Sequence, residues 1–375
     1  MQPLITWNES NKAHSAQWRS ESGMPPPKRV MIADDTMKAD DAYRLACEGT
    51  ALLWRGDFQN AKQLLQAMSR RNTRKAERSR KTPAQPGEAF HLHRQAQSQR
   101  ARTLAMILIP LDADYTIPLR RAPDMRQACN EAYGRGSKPS VASLRELLGL
   151  VGAHEWRKKG VEIAQLGARI HPHYGVFSPV RGEYLDLVDQ APLPATELAF
   201  DIGTGTGVIA ALLAQRGVKH IVATDQDARA LSCARDNLTR LGLNDKVEVI
   251  EADLFPAGKA PLIVCNPPWI PARPSSPVEH AIYDPDSRML RGFLGGLAAH
   301  LAPGGEGWLV ISDIAEHLGL RTRDELLALI EASGLQVIER TDIRPQHPKS
   351  ADQTDPLHAA RAAEVTSLWR LASSS

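Results

Sequence analysis

Residues 198–216 read LAFDIGTGTGVIAALLAQR, and this stretch decides the fold. A short apolar run, Leu198 to Asp201, reads as a buried strand. It enters a turn containing Gly203, Gly205 and Gly207, and an unbroken apolar helix follows. Glycines at this spacing allow positive φ and let a ligand approach the main chain. The dinucleotide fingerprint needs a glycine at 208, where Val208 stands, and no phosphate-binding loop ending in Gly-Lys-Ser/Thr occurs here.

Outward from this turn the pattern repeats. Strands are expected at Leu198–Asp201, His220–Asp225, Val247–Glu251, Leu262–Cys265, Trp308–Ile311, Leu335–Arg340 and Val365–Leu371. Helices are expected at Gly207–Arg216, Ala228–Leu241, Ser287–Leu301 and Arg323–Ser333. Strands alternating with helices imply an α/β fold, a doubly wound and mostly parallel sheet. Ligands of such sheets lie beyond the carboxyl ends of the strands. The residues there are therefore the candidates for a site.

Three acids follow three successive strands: Asp201, Asp225 and Asp253. Singly, each is an ordinary turn or cap residue. Together with the glycines they suit adenosine linked to a cationic amino acid. Asp201 would repel a pyrophosphate but attract an ammonium. Asp225 can accept both ribose hydroxyls, and Asp253 can accept from the adenine amine. That ligand is S-adenosyl-L-methionine, with Asp201, Gly203, Thr204, Gly205, Gly207, Asp225, Asp253 and Asn266 as the expected contacts.

The fourth strand ends in Asn266-Pro267-Pro268-Trp269. The prolines stiffen the loop. The Asn266 side-chain oxygen and the Pro267 carbonyl can each accept an N–H of one amino group, leaving its lone pair directed at a methyl donor. Trp269 offers a flat face for stacking. Asn266, Pro267, Pro268 and Trp269 are thus the expected catalytic residues for transfer to a planar nitrogen, with no metal required. The four cysteines, Cys47, Cys129, Cys233 and Cys265, fall in no metal-ligand spacing. His154, His171 and His173 are expected to pack in loops or touch substrate rather than hold a metal. Tyr174 to Phe177 could line the acceptor pocket or form an apolar lid.

DIGTGTG, ATDQDARAL, ADLF and NPPW, in this order, resemble the class I methyltransferases, and within them the HemK-like, methyltransferase small domain branch. The resemblance covers about residues 175–372. It implies a seven-stranded Rossmann-like sheet with an antiparallel last strand, S-adenosyl-L-methionine as cofactor, and the acceptor held by Asn266–Trp269. SPVRGEYLDLV and YDPDSRMLRGFLGGL resemble segments of the release-factor glutamine methyltransferases. Trp269 stands where that family usually has tyrosine. The resemblance implies N5-methylation of a protein glutamine. Methylation of an exocyclic amine, adenine N6 or guanine N2, in RNA or DNA is the alternative; a small-molecule N-methyltransferase ranks below both.

The remainder of the chain is less explicit. Residues 1–38 are polar, include Met24-Pro25-Pro26-Pro27, and read as a poorly ordered lead-in. Residues 39–165 read as a mainly helical, basic, substrate-recognition domain, and 170–375 as the catalytic domain. Residues 1–150 carry 24 Lys and Arg against 15 Asp and Glu, although the whole chain has a net charge of only +3. Arg70–Lys81, RRNTRKAERSRK, reads as a basic linker or arm and is the candidate nucleic-acid contact. Pro345–Pro356 reads as a surface loop near the active-site mouth. With no long apolar run and no signal-peptide core at the N-terminus, a cytoplasmic location without membrane insertion is expected.

Overall fold

The computed structural model describes residues 3–78, 85–180, 182–274, 277–345 and 355–374. They fall into two units, 1–83 with 91–155, and 84–90 with 156–375. In chain order the first elements are β1 (Leu4–Glu9), β2 (Lys12–Arg19), β3 (Arg29–Ala33), α1 (Ala39–Cys47), β4 (Thr50–Trp54) and α2 (Phe58–Arg78). Then come α3 (Pro86–Leu104), β5 (Ile107–Leu111), α4 (Arg126–Tyr133), β6 (Ser140–Ser143) and α5 (Leu144–Lys159).

The first unit corrects one expectation. Residues 1–38 are not a loose lead-in where described; they supply three strands. Residues 39–165 hold α1 to α5, and they also hold β4, β5 and β6, which join those strands in one six-stranded sheet of order β1-β2-β6-β5-β4-β3. β1 and β2 form a hairpin whose turn, Ser10-Asn11, has φ of 51° and 59°. Two left-handed residues match the twist of paired strands. The end strands β1 and β3 approach one another, so the sheet curls. Arg55, just past β4, makes two hydrogen bonds to Glu9 at 2.9 and 2.6 Å. Ile5, Trp18, Ala51, Leu53, Leu108 and Val141 form the core on one face. TALLW and ILIPL are too short and too uniformly buried to be told from helix by periodicity.

The basic stretch from Arg70 to Arg78 is the last part of α2, not a free arm. Helix formers without glycine or proline carry the helix through it. Arg71 bonds Asp40 at 2.5 Å, whereas Arg70 and Arg74 are exposed. Residues 79–81 lie outside the described residues.

The second unit follows the expected pattern closely. Its elements are β7 (Val161–Ile163), β8 (Ala168–Ile170), α6 (Glu183–Gln190), β9 (Leu198–Ile202), α7 (Val208–Gln215), β10 (His220–Asp225), α8 (Ala228–Arg240) and β11 (Val247–Glu251). β12 (Ala260–Cys265), α9 (Arg288–His300), β13 (Leu301–Ser312), α10 (Ile314–His317), α11 (Arg323–Ala332), β14 (Leu335–Ile343), α12 (His358–Ala363) and β15 (Thr366–Ser373) complete it. β7 and β8 pair alone. The seven-stranded sheet has the order β11-β10-β9-β12-β13-β15-β14, with only β15 antiparallel to its neighbours. Leu185, Val188, Leu212 and Leu238 help build the core on one face; Phe293, Leu297, Leu326 and Ile330 help build the other. The chain winds from β9 outward to β11, then returns to β12 on the other side of β9. That reversal opens a crevice between the ends of β9 and β12.

An ion pair fastens the antiparallel strand. Arg370 of β15 makes two 2.8 Å bonds to Glu306 of β13, and both side chains are nearly buried. Trp308 Nε1 donates to the same carboxylate at 3.0 Å. Burial alone would raise the Glu306 carboxyl; the bonds from Arg370 and Trp308 outweigh it and hold it below its usual range. Arg370→Ala strands that carboxylate and is expected to cost about 3 kcal/mol of unfolding free energy. Replacing both partners, Glu306→Gln with Arg370→Met, is expected to cost less. Urea unfolding of the two variants checks the order; an equal or larger loss in the double variant contradicts it.

Candidate active site

The glycine turn after β9 is shaped from below. Asp201 is sealed under it, accepting from Thr204 Oγ1 at 2.6 Å and from the Ala210 amide at 3.1 Å. Gly203, Gly205 and Gly207 all have positive φ. A Cβ on Gly203 would meet Met289 Cε at 2.3 Å, and one on Gly207 would crowd Ala234 of α8 at 3.3 Å. Thr204 donates its amide to the Thr224 carbonyl at 2.8 Å, joining the turn to β10.

Asp225 ends β10 beside this turn. Its Oδ2 accepts from the Gly205 amide and its Oδ1 from the Asp227 amide, both at 3.0 Å. Each oxygen retains a lone pair. Burial raises this carboxyl above its ordinary value, with the amides of Asp227, Gly205 and Gln226 opposing. Thr224 Oγ1 donates to the Leu254 carbonyl at 2.6 Å and holds Leu254 in a left-handed conformation, φ 75°. Asp253 therefore follows β11 at the same rim, where Arg288 bonds it at 2.7 Å.

The loop after β12 supplies the other wall. Asn266 Oδ1 accepts from Trp269 Nε1 at 2.9 Å. Beyond Trp269, Ile270 forms a parallel bridge with Tyr283. Asp284 accepts from the amides of Met289 and Leu290 and so starts α9. A third wall comes from 175–180 and Tyr184. That segment is tied to α8: the His171 amide donates to Asn237 Oδ1 at 2.8 Å, and His173 pairs with Asp236 at 2.9 Å. Tyr174 lies under the Arg229 guanidinium, 5.7 Å from the ring centre. His154 bonds Glu131 at 3.0 Å.

These walls enclose one cavity of about 1190 Å³. Gly203, Gly205, Asp225, Asp253 and all of Asn266–Trp269 line it. Asp201, Thr204 and Gly207 do not. Asp201, expected to face a ligand ammonium, is 1% exposed, and its Oδ2 takes both bonds inside the turn. Residues that sequence reasoning did not single out also line the cavity, among them His280, Met289, Ile314, Arg361 and Glu364. Arg361 and Glu364 come from α12 and the residue just past it, between the last two strands. Residues 346–354 of the expected mouth loop lie outside the described residues, and HAARAA carries no chemical motif to flag the helix.

Residues 168–327 match the family described as methyltransferase small domain. Among curated proteins, the chain is 33% identical over 169 residues to a release factor glutamine methyltransferase of Cereibacter sphaeroides, covering 41% of this chain and 58% of that protein. It is 31% identical over 113 residues to a putative protein N5-glutamine methyltransferase of Methanocaldococcus jannaschii, covering 30% and 55%. It is 30% identical over 155 residues to a tRNA1(Val) (adenine(37)-N6)-methyltransferase of Bacteroides fragilis, covering 37% and 65%. The chain thus spans little more than half the length of the first two. Among solved structures, a ribosomal protein L11 methylase from Lactobacillus delbrueckii subsp. bulgaricus aligns with TM-score 0.38 and 18% identity, over 55% of this chain and 86% of that one.

The cofactor of a methyltransferase small domain is S-adenosyl-L-methionine, and the cavity fits it. The volume exceeds the roughly 300–1,000 Å³ typical of one small ligand, which leaves room for cofactor and acceptor together. Acids predominate in the lining: Asp225, Asp227, Asp253, Asp284 and Glu364 against Arg229, Arg288 and Arg361. Arg288 is neutralised by Asp253, and Arg361 by Asp355 at 2.6 Å. Such a lining favours a cationic sulfonium ligand over a phosphate.

Burial pushes Asp201 up to about 6, against the bonds from Thr204 and Ala210. A carboxyl raised on folding stabilises the fold below its unfolded pKa near 3.8 and loses that contribution as pH rises through 6. A rise from 3.8 to about 6 corresponds to about 3 kcal/mol. Urea unfolding of wild type and Asp201→Asn from pH 4 to 7 is expected to show the gap moving in the variant's favour by about that much. A pH-independent gap contradicts it.

Proposed function

We propose that the second unit is an S-adenosyl-L-methionine-dependent N-methyltransferase acting on a planar amide or amino nitrogen, foremost the side-chain amide of a protein glutamine. The observation that carries this reading is the Asn266–Trp269 loop, set in the wall of the cavity that Gly203, Gly205 and Asp225 also line. When bound, the cofactor supplies a methyl carbon made electrophilic by its sulfonium. Asn266 and Pro267 carry two carbonyl acceptors for the N–H groups of the incoming nitrogen. Held there, the nitrogen keeps its lone pair free for in-line attack. As the new N–C bond formed, the methyl–sulfur bond would break with its electron pair left on the neutral thioether, and the acidified N–H proton would pass to water, so rate comes chiefly from positioning. Pro267 and Pro268 keep the acceptors from moving, and Trp269 gives the planar group a face. The printed names of the Cereibacter and Methanocaldococcus relatives support a glutamine acceptor.

A nucleic-acid acceptor, adenine N6 or guanine N2, is the second reading. The excess of positive charge in residues 1–150 favours it, as does the likeness to a tRNA adenine methyltransferase. Exposed Arg70 and Arg74 on α2 are candidate phosphate contacts. Among the described residues no helix is long and apolar enough to cross a membrane.

Incubation with methyl-labelled cofactor and a cell lysate, followed by protease or nuclease, separates the readings. Protease-sensitive label is expected. Nuclease-sensitive label establishes the second reading, and label in neither polymer overturns both. Asn266→Ala is expected to abolish transfer with cofactor affinity unchanged within about threefold, whereas Asp225→Ala weakens cofactor binding by about tenfold or more. Full activity in Asn266→Ala removes the amino-group clamp.

A further inference from the structure

An asparagine side chain presents an acceptor and two donors on opposite arms of one flat group. A half-turn about its last torsion exchanges them. The clamp proposed above works only with the oxygen toward the incoming nitrogen, because the amide nitrogen would set donor against donor. Some neighbour must choose between the two orientations, since the torsion alone does not.

We infer that Trp269 makes this choice: its indole N–H, by donating to Asn266 Oδ1, fixes the orientation of the Asn266 amide, so that Trp269 is a positioning residue as well as a stacking face. The inference rests on the planar-nitrogen reading. An indole nitrogen can only donate, so at 2.9 Å it accepts the oxygen and refuses the amide nitrogen as partner. The oxygen retains a second lone pair for an N–H of the acceptor. Three connected features hold the indole. It is partly buried and packs against the cores on both faces of the sheet. It also packs against a third cluster, Phe90, Ile314, Leu318, Leu357 and Ala360. The chain just beyond it is pinned, with the Ile270 amide donating to the Ile282 carbonyl at 3.2 Å and the Asp284 amide to the Ile270 carbonyl at 2.9 Å. Pro267 and Pro268 fix the span between the two partners. Neither phenylalanine nor tyrosine can substitute. Phenylalanine has no donor, and the tyrosine hydroxyl sits at the far end of its ring.

Two measurements test this. In the first, the indole N–H of Trp269 is followed by NMR in 15N-tryptophan-labelled protein, with Trp269→Phe identifying the resonance. Its exchange with solvent is expected to quicken about tenfold or more in Asn266→Ala, which leaves the ring in place. Unchanged exchange overturns the bond. In the second, Trp269→Phe and Trp269→Tyr are assayed on the lysate fraction that takes label from the wild-type protein. Maximal rate is expected to fall about tenfold in both, while cofactor affinity and the amount of acceptor giving half-maximal rate stay within about threefold. Either variant keeping wild-type maximal rate overturns the inference. So does a loss confined to acceptor affinity, which would leave stacking as the whole role. Failure of the planar-nitrogen reading looks different: Asn266→Ala then keeps its activity, whatever the Trp269 variants do.

Discussion

Asp201 lies under the glycine turn with 1% of its surface exposed, and the turn above it borders the cavity at Gly203 and Gly205. Its carboxylate takes the Thr204 hydroxyl and the Ala210 amide, which closes the turn and starts α7. The turn so closed brings the Gly205 amide to Asp225 and the Thr204 amide to Thr224. β10 is thereby locked to β9 at their carboxyl ends, and Thr224 passes the constraint on to Leu254 and the end of β11. Three strand ends are held in register by one buried acid and the bonds that follow from it. A buried carboxylate is costly in an apolar setting unless it is hydrogen-bonded. The turn's two bonds offset part of that cost, and the carboxyl stays raised by what remains.

That arrangement explains what the sequence made legible. In the second unit every expected strand is present, with ends displaced by a few residues at most except for β13, which starts seven residues earlier than Trp308. Short apolar runs bounded by glycine, acid or proline signal buried strands clearly, and LAFDIG, VATDQD and IVCNPP are of that kind. The same letters do not show which way a side chain faces. Asp201, Thr204 and Gly207 share a motif with Gly203 and Gly205, yet the first three serve the turn and the last two the cavity. Asp253 reaches the rim, but in partnership with Arg288, 35 residues on, a pairing that no local pattern encodes. In the first unit the signals were weaker still. β6 is four residues long, β4 and β5 five each, and the β1–β2 hairpin turns on Ser-Asn rather than the more usual Asn-Gly. Strands that make their hydrogen bonds to distant segments are specified by those segments, not by their own periodicity.

The cavity gathers groups that the fold alone would keep apart. Burial raises Asp201, Asp225 and Asp284 together, all near the carboxyl edge of the sheet. Like charges in a partly desolvated space oppose each other, and the fold bears that cost. The strong ion pair of the second unit, Arg370 with Glu306, ties β15 to β13, between strands that follow the site-bearing ones in the sheet order. A ligand carrying positive charge relieves the acidic lining as it binds. Cofactor binding and stability are therefore linked in one direction: whatever neutralises the crevice also favours the folded chain.

The wall proposed for the acceptor follows the opposite rule. Where the wall proposed for the cofactor uses carboxylates, the Asn266–Trp269 loop uses neutral carbonyls, a side-chain amide and two prolines. A carboxylate in place of Asn266 would add another negative charge to a rim that already holds several, and its burial would raise it toward protonation, when it could no longer serve reliably as an acceptor. A neutral amide avoids that competition but brings an ambiguity of its own, because its two arms are alike in shape and opposite in hydrogen-bonding sense. Selecting a neutral acceptor beside an acidic cofactor site therefore creates the need for a donor that fixes its orientation. Trp269, three residues on and braced by three clusters of the core, meets that need from within the same loop.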